Sequence, residues 1–239
     1  MDKTTQVGIA EFLGTFTLVL LGAGAGALAA DNGIGQAGVA FTHGIALMFI
    51  IYTWGWISGA HVNPAVTLGV LLSGKISLGK SIMYWIAQLA GGAAAGFTLR
   101  YLLGDASDLG QTIGLFTPNI ADKATADPVK VIVVEAILTF FLVCSVLSNG
   151  IAGKNGNIVG VAIGFVLTAD ILVGGSLTGA SMNPARTFGP AIAAATSNLS
   201  YVWLYFVGPA IGGIVAALVY NGLFLAPEAA TLDDIKKSR

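Results

Sequence analysis

Six long stretches of the chain are nearly free of charge: about Val7–Ala30, Ala37–Ile57, Ser81–Leu99, Val131–Asn149, Ile158–Gly174 and Tyr201–Leu225. Each approaches the ~20 residues that an α-helix needs to cross about 30 Å of hydrocarbon at ~1.5 Å per residue. Inside a bilayer the backbone must satisfy its own hydrogen bonds, so these stretches predict helices. A membrane β-barrel would show alternating segments of ~10 residues, and the sequence has none. The pattern therefore predicts an all-α membrane protein with six spanning helices. Ala27-Leu28-Ala29 resembles a signal-cleavage site. The run before it is too long for a cleaved signal and holds Glu11, so it reads as a permanent span.

The two halves of the chain repeat one another. Ser58-Gly-Ala-His-Val-Asn-Pro-Ala-Val-Thr-Leu-Gly69 aligns with Thr178-Gly-Ala-Ser-Met-Asn-Pro-Ala-Arg-Thr-Phe-Gly189, with seven of twelve positions identical at a spacing of 120. Glu11 and Thr15 match Glu135 and Thr139, and Gly91-Gly92 match Gly212-Gly213. Each half holds three spans, and an odd number inverts the second copy in the membrane, as in the inverted repeats of transport proteins. The expected division is repeat one at about 7–102, an outer loop at about 103–128, repeat two at about 129–226 and a cytoplasmic tail at 227–239, in a single domain over 1–239.

After each Asn-Pro-Ala comes a short apolar run, Val66–Leu72 and Thr187–Ala195. About ten helical residues cover ~15 Å, half the hydrocarbon thickness. Two such half-helices reaching in from opposite faces make a seventh crossing between them. Asn63 and Asn183 suit helix N-caps, and Pro64 and Pro184 suit the first helical position, which needs no N–H. Ala65 and Ala185 are small enough for the two ends to meet. Facing helix N-termini carry roughly half a positive charge each and repel cations. Their asparagine amides donate to a passing oxygen, which leaves a water there unable to relay a proton.

Composition removes the soluble alternatives. Eleven basic and twelve acidic residues make up 10% of the 239-residue chain, against roughly a quarter in a soluble domain. Mean hydropathy is +0.83. A net charge of −1 excludes a nucleic-acid footprint. One cysteine, Cys144, and two histidines, His43 and His61, leave no disulfide framework and little for a metal site, so no cofactor is expected. No Gly-rich phosphate motif occurs, and runs such as Ala90-Gly-Gly-Ala-Ala-Ala-Gly96 read as close helix packing. An enzyme is not expected. Six spans put both termini on one side, with Lys3, Lys75, Lys80, Lys154, Lys236, Lys237 and Arg239; the other side holds Arg100, Lys123 and Lys130. The bias places both termini in the cytoplasm.

On these residues the chain resembles the aquaporin (major intrinsic protein) family. The resemblance runs from Ala10-Glu-Phe-Leu-Gly-Thr-Phe16 to Phe206-Val-Gly-Pro-Ala-Ile-Gly-Gly213, with both signature boxes intact. It implies an aquaporin-like fold and a homotetramer with one pore per subunit. Counted from the boxes, the family's outer selectivity filter falls on His43, Ile171, Ala180 and Arg186. Strictly water-selective members usually carry Phe and His at the first two positions. Here the histidine stands in span two and Ile171 takes the other place, which is most similar to the plant tonoplast intrinsic proteins. Those have a longer N-terminus and usually Asn where this chain has Asp170. Glycerol facilitators usually place Asp after Asn-Pro-Ala-Arg and Lys or Arg four residues later; Thr187 and Ala191 favour the water-channel side.

Single residues are weighed against plainer roles. An arginine inside the membrane costs at least ~2.5–3.5 kcal/mol, so Arg186 is read as functional, a donor to the permeant and a barrier to cations. His43 reads as a pore residue, and a histidine's ordinary pKa of about 6.5 makes pH-dependent permeability an expectation. His61 reads as a loop brace and Cys144 as packed. Glu11 and Glu135 are either proton relays or, as their repeat symmetry suggests, braces for the half-helix loops; Asp170 has no assigned role. The expected function is a passive channel for water, with some ammonia, urea or hydrogen peroxide and slower glycerol, closed to protons and ions. The alternatives are a glycerol-type facilitator, a proton-coupled transporter using Glu11, Glu135 and Asp170, or a closed junction protein. The expected residence is a cell membrane in preference to a vacuolar one.

Overall fold

The computed structural model describes residues 1–104, 108–112, 127–151, 156–194 and 197–224. Most of the expected outer loop, the tail 227–239 and Asp105, Asp122, Lys123 and Lys154 lie outside the described residues. Eight α-helices follow in chain order: α1 Lys3–Asn32, α2 Gly35–Ser58, α3 Pro64–Leu72, α4 Leu78–Leu103, α5 Pro128–Ser145, α6 Val159–Thr178, α7 Pro184–Ala194 and α8 Leu204–Val219. Six segments, led by these long helices, are long and apolar enough to cross a membrane. The fold is all-α, with six spans and two short helices, α3 and α7.

α1 and α4 outrun their apolar stretches at both ends, and polar residues cap their starts. Asp2 Oδ1 accepts from Thr5 N at 3.0 Å and opens α1. Ser77 caps α4 and Asp127 caps α5 in the same way. Glycines in the left-handed region close α1, α2 and α6 at Gly33, Gly59 and Gly179, with φ of 71°, 92° and 85°. The fourth span differs from its apolar run: α5 stops at Ser145 and a π-helical turn, Val146–Ile151, carries the chain onward. The short helix α7 starts at Pro184, ahead of the apolar run, because Asn183 caps it.

Packing follows the repeat. In the first half α1 lies against α2 and α4; in the second, α5 lies against α6 and α8. The halves meet where α2 crosses α6, and each short helix packs on a span of the other half, α3 on α8 and α7 on α4. Glycines sit at these crossings. A Cβ on Gly44 would lie 2.6 Å from the Gly164 carbonyl, and one on Gly164 2.7 Å from the Gly44 carbonyl. A Cβ on Gly92 would run into the Ala185 carbonyl, and one on Gly213 would come within 2.8 Å of the Ala65 carbonyl. The missing Cβ atoms let the backbones approach, as small residues do in membrane bundles.

Polarity is inverted relative to a soluble protein. Ile45, Ile86 and Leu218 are 59%, 66% and 67% exposed, whereas Glu11, Gln88 and Glu135 are fully buried. Hydrocarbon is the solvent for the outer face, and the polar groups are held inside.

Gly92→Val should therefore destabilise the folded protein by roughly 1–3 kcal/mol or more, since the backbone it meets cannot turn aside. Gly79→Ala, which meets nothing within 4 Å, should leave stability unchanged. Thermal unfolding of both variants in detergent checks the contrast.

Candidate functional site: a membrane-centred pore

The loops that lead into α3 and α7 have matching backbones. Gly59, Ala60 and Val62 have φ of 92°, 48° and 42°; Gly179, Ala180 and Met182 have 85°, 44° and 53°. A left-handed conformation is unfavourable for Ala and Met and a genuine outlier for β-branched Val62. Such residues cost about 1–3 kcal/mol each and persist only when the surroundings over-determine them.

Buried carboxylates supply that constraint. Glu11 Oε1 accepts from Ser58 Oγ at 2.6 Å and His61 N at 3.0 Å. Its Oε2 accepts from Val62 N at 2.7 Å and Gln88 Nε2 at 2.8 Å. Glu135 does the same for the other loop, accepting from Thr178 Oγ1 at 2.7 Å, Ser181 N at 3.0 Å and Met182 N at 2.7 Å. Ser58 and Thr178 accept from Ala60 N and Ala180 N, so their single hydroxyl protons go to the carboxylates. Every one of these partners donates, and each glutamate acts as an acceptor at both oxygens. Hydrogen bonds to a charged group contribute ~1.5–3 kcal/mol each. Three or four per loop therefore match the backbone strain in size.

At the centre the two halves hold each other. Asn63 Oδ1 accepts from Ala65 N at 2.8 Å, while its Nδ2 donates to Met182 O at 2.8 Å. Asn183 Oδ1 accepts from Ala185 N at 3.0 Å, and its Nδ2 donates to Val62 O at 2.9 Å. One amide hydrogen remains on each asparagine. Both side chains border a central cavity of about 120 Å³ that runs from Ile51, Gly150, Ile151 and Val159 past the Asn-Pro-Ala loops to His43 and Arg186. The walls of its near end are apolar. Polar groups along it are carried by Asn63, Asn183 and the loop at Gly59, Ala60 and His61.

A second cavity of about 350 Å³ lies on the far side of His43 and Arg186, bordered by Gln36, Asp108, Gly110, Ile171 and Gly179 among others. Among the described residues His43 and Arg186 alone border both cavities, so the constriction lies at these two side chains. Arg186 Nη1 donates to Gly110 O at 2.7 Å, and its Nε has no partner among the described residues. His43 Nδ1 lies 2.9 Å from Val39 O. A carbonyl only accepts, so Nδ1 carries the hydrogen. In the neutral ring Nε2 is then a bare acceptor, and it too is buried without a partner. Both cavities are thus lined by a residue that carries donors, Arg186, and one that carries a lone pair, His43, whose ring edge lies against Gly22.

Ile171 borders the outer cavity, and its carbonyl accepts from Gln36 Nε2 at 2.9 Å. Ala180 is 1% exposed and packs in the core, its Cβ beside Gly174. Its side chain borders neither cavity, so of the four filter positions expected from sequence the cavities meet three. His61 Nδ1 lies 3.1 Å from Thr67 Oγ1, and Cys144 packs partly buried against the core. Asp170 is buried on α6, with Oδ2 unpartnered among the described residues, and borders neither cavity. No cluster of metal-ligating side chains occurs among the described residues.

Several contributors were not anticipated. Tyr84 OH and Tyr205 OH donate to Ser58 O and Thr178 O, each at 2.5 Å; their spacing of 121 was available as a signal. The outer loop was not. Gly110 has φ +64°, and a Cβ there would strike the backbone of Ala23, so only glycine lets its carbonyl reach Arg186. Thr112 donates to Thr187 Oγ1 at 2.7 Å and ties the loop to α7, because Thr187 gives its own hydrogen to Ser181 Oγ.

A family model described as Major intrinsic protein matches residues 2–220. The chain belongs to the major intrinsic protein family. It is 39% identical over 232 residues to Aquaporin TIP1-2 of Musa acuminata, covering 93% of this chain and 88% of that one. To Aquaporin TIP2-1 of Arabidopsis thaliana it is 39% identical over 227 residues, covering 91% and 86%. The solved aquaglyceroporin from Plasmodium falciparum superposes with a TM-score of 0.77 at 25% identity, covering 94% of this chain and 98% of that one. The aquaporin fold and the similarity to the tonoplast intrinsic proteins both follow from these relatives. For this aquaporin-family chain, membership also fixes the class of activity, transmembrane passage through a pore.

Glu135→Gln would turn an amide N–H₂ toward backbone donors that now meet a carboxylate. Stability should fall by about 1–3 kcal/mol, and water permeability should fall with it as the Arg186 segment loosens. Unfolding and stopped-flow swelling of the variant check this; an unchanged protein would contradict the bracing geometry.

Proposed function

We propose that the chain forms a passive channel for water that also admits ammonia, urea and hydrogen peroxide, passes glycerol more slowly, and excludes protons and ions. The observation that carries this reading is the pair of unpartnered buried atoms at the constriction, His43 Nε2 and Arg186 Nε. Buried polar atoms are normally satisfied. A neutral molecule with both a lone pair and an N–H or O–H satisfies the two at once. Water and ammonia fit, whereas a cation meets the arginine charge. Ile171 adds an apolar wall to the outer cavity, which makes the approach to the opening less polar and less strict than one with a second imidazole.

At the midplane the free amide hydrogens of Asn63 and Asn183 offer only donors. A water there points its oxygen at them and its hydrogens outward, which breaks proton relay. The N-termini of α3 and α7 add fixed positive ends against cations. The proton-coupled alternative loses support because donors already occupy Glu11 and Glu135, and Asp170 borders neither cavity. The protein is a multi-pass membrane protein. We place both termini in the cytoplasm and four copies in the working assembly. The sequence-level expectation of a cell membrane carries less weight beside relatives of the tonoplast type.

Proteoliposomes carrying the protein should swell faster than empty ones, and equal rates would overturn the channel reading. Ile171→His should shift permeation toward water and away from urea and ammonia; an unchanged profile would remove Ile171 from the filter. Mercurial reagents should leave flux unaltered, since Cys144 borders neither cavity; strong block would contradict that.

A further inference from the structure

A third cavity lies away from the pore, at the membrane end where α1 begins, α2 ends and α4 begins. Its volume is about 600 Å³, with Lys3, Thr4 and Lys80 at its rim and Val7, Ile57 and Met83 within it. The two lysines come from helices 77 residues apart in sequence, and among the described residues neither forms an ion pair. Lys80 Nζ lies 5.4 Å from the centroid of the Tyr84 ring, which holds the ammonium against the protein. The nearest acid in sequence, Asp2, is already committed: its two oxygens accept from Thr5 N at 3.0 Å and Thr5 Oγ1 at 2.8 Å. Those donors hold its carboxyl below the usual range, so it is an anion that caps α1, and it forms no ion pair with Lys3. Beside Gly79, Lys80 and Met83 along α4, the apolar side chains of Leu78, Ile82 and Ile86 are 58%, 45% and 66% exposed.

We propose that this groove binds the headgroup of an anionic phospholipid, its phosphate between Lys3 and Lys80 and the start of its acyl chains on Val7, Ile57 and Met83. Charge and shape both select that occupant. Two cations without an ion-pair partner among the described residues call for an anion, and the apolar floor calls for hydrocarbon. A groove of about 600 Å³ has room for many waters, each of which needs only ~10–15 Å³ of such space, so a free phosphate would leave most of it unfilled. The groove lies on the side that carries Lys75 and the N-terminus, whose basic excess suits an anionic leaflet.

The test is native mass spectrometry of the protein released from vesicles of phosphatidylglycerol and phosphatidylcholine in equal parts. Wild type should retain phosphatidylglycerol in preference. Lys3→Gln and Lys80→Gln should each weaken that retention about fivefold, and the double variant roughly 25-fold, at the ~1 kcal/mol that a basic residue contributes near an anionic surface. Lys75→Gln, which removes a charge from the same side but not from the groove, should bind as wild type does. Water flux should be unchanged in all of these variants, which shows that they are folded. If the double variant cannot be prepared, the two single variants carry the same test. Equal retention of both lipids, undiminished binding in the Lys3 and Lys80 variants, or displacement of the lipid by millimolar inorganic phosphate would overturn the proposal.

Discussion

Everything at the centre of this molecule depends on buried carboxylate oxygens meeting backbone N–H groups inside the protein. The loops before α3 and α7 take conformations that alanine, valine and methionine avoid. Glu11 and Glu135 hold them there by bonding successive amides of the same loop. With the amides drawn to the carboxylate side, the asparagine side chains and the starts of the short helices are delivered to the midplane. A soluble protein would leave such loops to solvent. Here the alternative to the glutamate is an unsatisfied amide buried inside the protein, so the brace and the loop are one unit.

The two halves match in their braces, in the tyrosines that clamp the ends of α2 and α6, and in the glycines where α3 meets α8 and α7 meets α4. They part where selectivity is set. Val66 and Arg186 occupy matching positions, as do His61 and Ser181. The loop between the halves, from Asp108 to Thr112, folds onto the residues next to the second Asn-Pro-Ala. The scaffold is symmetric, and the chemistry that discriminates solutes is placed on one side of it.

Much of this was legible in the sequence because membranes simplify the code. Absence of charge marks the spans, the 120-residue repeat marks the inversion, and Asn-Pro pairs mark where the short helices begin. Glu11 and Glu135 stood out as charges in apolar surroundings at matched positions, although the pattern alone left brace and relay both open. What the sequence hid depends on distance through space. Nothing in the run from Asp108 to Thr112 announces that Gly110 will present its carbonyl to an arginine 76 residues away. Nor could the tautomer of His43 be read without Val39 beside it, or the inward packing of Ala180 without its backbone conformation. Helix ends and the π-helical turn after α5 escaped for a related reason, because capping and local hydrogen-bond register follow from geometry that hydropathy does not record.

The exchange of hydrogen bonds between Asn63 and Met182, and between Asn183 and Val62, carries a consequence for biogenesis. The carbonyl that receives the Asn63 amide lies 119 residues further along the chain. At ~5–20 residues per second of synthesis, the first short helix waits roughly 6–24 s for its partner. During that interval the first three spans have been synthesised and the centre is incomplete. The pore is therefore closed up late, by the half of the protein made last, and its final geometry is a property of the whole polypeptide that neither half possesses while it waits.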